Sequence, residues 1–105
     1  MPRISYAVTA VMPDPETRDR YLRWLRDGHV RDVLDAGASD AQIVVIDQPE
    51  LPIRVQTRYV FESRQELDRY LQDQAPELQA QGIRLFGPET GVAFSREIGV
   101  VVEHR

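Results

Sequence analysis

Apolar residues alternate with small or polar ones at the start of the chain: Ile4, Tyr6, Val8, Ala10 and Met12 against Ser5, Ala7, Thr9 and Val11. A period of two predicts a strand with one strongly apolar face. Pro13-Asp14-Pro15 stops it. Asp14 as N-cap, Pro15 at the first helical position and Glu16 at the positive end start a helix that runs to about Asp27. At ~100° per residue, Tyr21, Leu22, Trp24, Leu25, Gly28 and His29 fall within an arc of roughly 160°, and Arg20, Arg23, Arg26 and Asp27 lie outside it. One face of this helix therefore lies on a sheet and brings His29 to the edge of the contact. Gly28 gives the helix a place to break. Val30, Val33 and Leu34 continue through a short second turn, and Gly37 stops it.

A second strand is expected from Ala41 to Asp47, apolar on both faces at Ile43-Val44-Val45-Ile46. Gln48-Pro49-Glu50-Leu51-Pro52 is a turn, since two prolines cannot join a ladder. A third strand follows, with Ile53, Val55, Thr57, Tyr59 and Phe61 on one face and Arg54, Gln56, Arg58 and Val60 on the other. These two strands form a hairpin. Ser63-Arg64-Gln65-Glu66 reads as a capping box in which Ser63 and Glu66 satisfy each other's backbone N–H groups. Leu67, Tyr70, Leu71, Ala75 and Leu78 form the buried stripe of the helix it opens. Pro76 kinks or restarts that helix, and Gly82 ends it, with Ile83, Leu85 and Phe86 packing as the chain turns back. A last strand from Val92 to Val102 sets Val92, Phe94, Ile98, Val100 and Val102 on one face. The order β-α-β-β-α-β predicts an α+β, ferredoxin-like fold: a four-stranded antiparallel sheet with two helices on one face, in a single domain over residues 1–105.

Composition narrows the function classes. A chain of 105 residues, 42% hydrophobic and 29% charged, is one ordinary globular domain. The absence of cysteine removes disulfides, thiolate metal sites and thiol nucleophiles. The net charge of -4 and the scattering of arginines among acids argue against nucleic acid as a partner. Met1-Pro2-Arg3 lacks the apolar region of a signal peptide, and no apolar run approaches the ~20 residues of a membrane span. The expected location is cytoplasmic, with no membrane partner.

Several blocks together resemble a known family. These are Trp24-Leu25, His29-Val30, Val33-Leu34, Gly37 and Tyr59, then Tyr70-Leu71, Ala75-Pro76, Leu78, Gly82, Phe86-Gly87 and Ala93-Phe94. The chain resembles an uncharacterised bacterial ferredoxin-like family catalogued as a domain of unknown function. It departs from that pattern at Ala38-Ser39, where a bulky aromatic is expected, and at Arg58, where an amide is expected. The resemblance implies the fold and no activity. More distantly the chain is similar to dimeric α+β barrel proteins, which pair their sheets; this implies a dimeric α+β barrel and, in some cases, small aromatic or polyketide-like ligands.

The candidate chemistry sits in two places. His29, at a helix end, is suited to act as a general base or to bond a carboxylate ligand; alternatively it caps helix carbonyls. Trp24 and Tyr21 line a pocket beside it or serve as plain core. The open sheet face is the second place. With the first and third strands central, it presents Ser5, Ala7 and Thr9 beside Arg54, Gln56 and Arg58, and the last strand adds Ser95 and Glu97. Such a face suits an anionic ligand inside a homodimer, or is solvated, with Arg58–Glu97 a surface pair of little worth. Val44, Ile46, Val60 and Val101 on the same side favour burial by a partner copy. His29 and His104 are the only histidines and give no metal-ligand spacing, so neither metal nor cofactor is expected. No phosphate loop or nucleophile elbow is present. Tyr59 and Phe61 alternate with Ile53 and Val55, which puts them on the helix side and not on a base-stacking face.

Two functional readings follow. The first is a non-catalytic homodimeric small-molecule-binding or structural domain, with Trp24, Tyr21, Arg58, Gln56 and Glu97 as candidate contacts for a small anionic or aromatic ligand. The alternative is a cofactor-independent small enzyme of the dimeric α+β barrel type, with His29 as general base and Arg58 as anion anchor. The enzyme reading requires His29 and these polar residues to converge on one cavity.

Overall fold

The N-terminal alternation becomes β1 (Ile4–Met12), in which Ile4, Tyr6, Ala10 and Met12 are buried. The computed structural model describes residues 2–105, so Met1, which enters the reading of the N-terminus, lies outside them. Asp14 caps the next helix by accepting from the Thr17 backbone N–H at 2.7 Å, with Pro15 in the first turn. This helix, α1 (Pro15–Trp24), ends earlier than its apolar arc suggests. Leu25–His29 form a break in which Gly28 takes φ 137°, a conformation only glycine holds without strain. The Val30 N–H reaches back to the Leu25 carbonyl across the extra residue, and α2 (Val30–Asp35) leaves in a new direction.

The hairpin comprises β2 (Asp40–Val45) and β3 (Ile53–Phe61). Val55, Thr57, Tyr59 and Phe61 of β3 are buried on the helix side, as their alternation requires. Ser63 caps α3 (Arg64–Asp73) by accepting from the Glu66 N–H at 3.2 Å. The capping box is only half made, because the Glu66 carboxylate turns outward to Arg69. The helix restarts as α4 (Ala75–Phe86), with Pro76 in its first turn, where the missing N–H costs nothing. That restart makes Gly82 an interior residue and not the helix stop; Ile83 and Leu85 consequently point outward and are half-exposed. After one turn of 3-10 helix at Pro88–Thr90, the chain closes with β4 (Ala93–Val100).

The strand order is β2-β3-β1-β4, antiparallel throughout. This is the ferredoxin-like α+β arrangement. The helices pack on β1, β3 and, through α2, on β2; on the edge strand β4 the core side is covered at Phe94, which packs against Tyr21, and not farther along the strand. For that reason Ile98 and Val100, although on the apolar side, are exposed, and Val102 lies beyond the strand end. The core falls into two clusters, one around Tyr6, Tyr59, Phe61, Leu67 and Tyr70, the other around Ala10, Tyr21, Leu25, Val55 and Phe86.

Candidate functional site

Between the two clusters the layers do not close. On the core side of β1, Tyr6 and Ala10 are buried while Val8 between them is only half-buried. Above Val8 lies a cleft that encloses about 40 Å³ and opens between α4 and β4. Its floor is Tyr6, Val8, Thr57 and Tyr59, with Phe94 and Arg96 from β4; its walls include Tyr21, Trp24, His29, Tyr70, Gln79, Gly82 and Ile83.

The break at Gly28 sets one wall. Trp24 and His29 are five positions apart, and on an unbroken helix they would point about 140° away from each other. Across the break the imidazole lies on the indole, with centroids 4.0 Å apart and planes 22° from parallel. Gly82 makes room for this pair, since a Cβ there would come within 3.1 Å of the indole. Tyr21 is buried edge-on against Phe86 at 5.2 Å, so it lines the inner end of the cleft as part of the core.

Two buried polar atoms among these residues have no hydrogen-bond partner: His29 Nδ1 and Tyr59 Oη. His29 therefore does not cap a helix end through its side chain. Burial lowers its pKa to about 4, the Asp32 carboxylate pulling weakly the other way, so the ring is neutral at physiological pH. Burial likewise raises the phenols of Tyr21, Tyr59 and Tyr70 above their ordinary value, and all three stay protonated; at Tyr59 the nearby Thr57 hydroxyl opposes this, although it is turned to the Val8 carbonyl and makes no hydrogen bond of proper geometry to the phenol.

The other sequence candidates lie across the sheet. Arg58 and Gln56 alternate with the buried Thr57 and Tyr59, and Glu97 stands in register with Ala7, on the side away from Ile98 and Arg96. Gln56 donates to Thr9 Oγ1 at 3.1 Å and accepts from Arg58 Nε. Arg58 and Glu97 stand on either side of Ala7 in one row of the sheet and form no ion pair. The structure thus brings Trp24, Tyr21 and His29 together and separates them from Arg58, Gln56 and Glu97 by the thickness of the sheet. The cation that does reach the cleft is Arg96, packed over the Phe94 ring at 5.9 Å. Its signal is visible in the sequence: on the last strand it is the one charged residue in the alternation Phe94, Arg96, Ile98, Val100. Among the described residues, no group of three or more His, Asp or Glu could hold a metal ion, and no helix is long and apolar enough to cross a membrane.

A family model described as a domain of unknown function, DUF4286, matches residues 3–101. The chain belongs to the DUF4286 family. No match is found among curated proteins. The fold of this DUF4286 chain is similar to a dimeric ferredoxin-like protein from an uncultured marine organism, at 13% identity and TM-score 0.83 over 100% of both chains. A second dimeric ferredoxin-like protein from an uncultured marine organism matches at 12% identity and TM-score 0.74, over 98% of this chain and 97% of the other. A cofactor-independent oxygenase from Streptomyces nogalater matches at 8% identity and TM-score 0.62, over 99% and 97%. At such identities the likeness is one of fold.

Proposed function

We propose that this DUF4286 chain is a non-catalytic, homodimeric small-molecule-binding domain whose ligand enters the cleft between sheet and helices. One observation carries the reading: His29 Nδ1 and Tyr59 Oη, both buried and unpaired, border the same aromatic-walled cleft. An unpaired buried polar group costs about 1–3 kcal/mol, and a few polar groups converging in an apolar recess are what a ligand site presents. The open sheet face, where Ala7, Thr9, Val11, Val44 and Val60 are only partly covered by their own chain, and the dimeric description of two fold neighbours support pairing of two sheets.

The alternative, a cofactor-independent enzyme with His29 as base, draws on the oxygenase among the fold neighbours. It is disfavoured by the ring itself. A general base works best with a pKa near the operating pH, and an imidazole held at about 4 is a hydrogen-bonding group more than a proton acceptor.

A thermal-shift screen of small aromatic compounds tests the binding reading. Compounds that raise the melting temperature of the wild type should lose that effect in His29→Phe and Tyr59→Phe. Equal stabilisation of wild type and both variants would place binding elsewhere and contradict it.

A further inference from the structure

The core side of the sheet carries one polar row. Register sets Thr57 of β3, Val8 of β1 and Arg96 of β4 side by side. The adjacent rows, Tyr59–Tyr6–Ile98 and Val55–Ala10–Phe94, are aromatic or aliphatic. The helices stand off over the middle and outer part of this row, leaving Val8 half-buried beneath the cleft and Arg96 exposed, while Thr57 is buried.

The two ends of this row differ. The inner end is Thr57, and beside it in the next row Tyr59 is 2% exposed with a hydroxyl that has no partner, His29 Nδ1 bordering the same recess. At the outer end, Arg96 is exposed and makes no ion pair among the described residues. No Asp or Glu lines the cleft, so Arg96 is the sole charged group among the described residues bordering it. A guanidinium with its fork unoccupied, set at the mouth of an apolar slot, favours a carboxylate in bidentate geometry. The inner end offers only neutral groups and selects a hydroxyl or carbonyl oxygen.

Resting on the binding reading above, we infer that the cleft takes a monocyclic aromatic carboxylate carrying a hydroxyl or carbonyl at the far end of its ring. The carboxylate pairs with Arg96, the ring lies across Val8 beside Trp24, and the far oxygen meets Tyr59 and His29. The strands that carry Arg96 and Tyr59, β4 and β3, are two strand spacings apart, about 10 Å, the length scale of a para-substituted ring with a hydrogen bond at each end. The enclosed 40 Å³ admits the far oxygen and the ring edge, while the rest of the ring lies in the open part of the cleft along Ile83.

Trp24 is the only tryptophan, so its indole N–H gives a single reporter signal in a ¹⁵N-labelled sample. The wild type and Arg96→Gln would be titrated with 4-hydroxybenzoate and with its neutral analogue 4-hydroxybenzamide. Both compounds should move the indole signal of the wild type, the acid binding at least about tenfold more tightly, as expected for a charge-assisted bidentate pair. Arg96→Gln, at an exposed position, should keep its fold and lose that preference. Equal binding of acid and amide, or a preference that survives Arg96→Gln, overturns the inference while leaving the cleft as a binding site. Silence of the indole signal toward both compounds overturns it as well, and the thermal-shift screen then decides separately whether the cleft binds anything.

Discussion

The imidazole of His29 lies on the indole of Trp24 at 4.0 Å, a contact that the helical repeat alone would forbid. It exists because Gly28 takes φ 137° and redirects the chain between the two rings. A Cβ at Gly28 would meet nothing within 4 Å, so the cost of a side chain there is purely conformational. Gly28→Ala is expected to destabilise the fold by roughly 1–3 kcal/mol, read from urea denaturation, and to alter the fluorescence of Trp24 as the stack loosens. An unchanged midpoint would mean that the break at residue 28 is not what holds the pair.

Stability should fall as the solution is acidified between pH 6.5 and 4. The unfolded chain takes a proton on His29 at its ordinary pKa of 6.5, whereas the folded ring resists protonation down to about 4 because it is buried. Within that window the unfolded state binds more protons, so stability rises with pH; above 6.5 and below 4 this contribution is flat. At about 1.4 kcal/mol per pH unit, the loss across the window reaches at most roughly 3 kcal/mol, reduced by whatever solvent reaches the ring. Asp14, whose carboxylate is held below its ordinary value by the Thr17 N–H, adds its own loss near and below the lower end of the window. Comparing denaturation curves of wild type and His29→Phe at pH 7.5 and 4.5 isolates the histidine: the wild type should lose more stability than the variant, which keeps only the loss from its carboxylates.

Removing the Tyr59 hydroxyl should not harm the fold. The group is buried without a partner, so Tyr59→Phe is expected to leave stability unchanged or raise it by about 1 kcal/mol. A loss of more than about 1 kcal/mol would reveal that the phenol serves the core, and the binding reading would lose half its support.

Much of this architecture was legible in the chain. Period-two alternation at Ile4–Met12 and Ile53–Phe61, the Asp14 and Ser63 caps and the Pro49/Pro52 turn are local signals, and each produced the element it predicts. The failures came where tertiary contacts decide. Gly82 looks like a helix stop, but its missing side chain serves the approach of Trp24 from another helix, which no local pattern encodes. The apolar side of the last strand promised burial for Ile98 and Val100, yet burial depends on how far the helices reach across the sheet. For the site, helical spacing sets Trp24, Tyr21 and His29 on one broad arc and the break at Gly28 closes Trp24 on His29, whereas Arg58 was paired with them only by its charge. The face to which a strand residue points depends on parity, and parity sends Arg58 away and Arg96 in.

The proposed sheet-to-sheet pairing predicts which substitution would break it. Ala7 lies in the middle of the open face, in register with Arg58 on one side and Glu97 on the other. Ala7→Glu would add a further charge to the row that already holds Arg58, set it beside the like charge of Glu97, and leave the whole row to be desolvated under an apposed face, which is strongly unfavourable. Light scattering after gel filtration is expected to show the wild type as a dimer and Ala7→Glu as a monomer with the cleft intact. Equal masses for the two proteins would remove the open face from the interface.

The most direct test of the cleft is a crystal structure soaked with the aromatic compounds that raise the melting temperature. The expected result is a ligand between α4 and β4, stacked near Trp24, with an oxygen within about 3 Å of Tyr59 Oη or His29 Nδ1. Ligands gathered instead on the open sheet face around Arg58 and Gln56, with the cleft empty, would contradict the account.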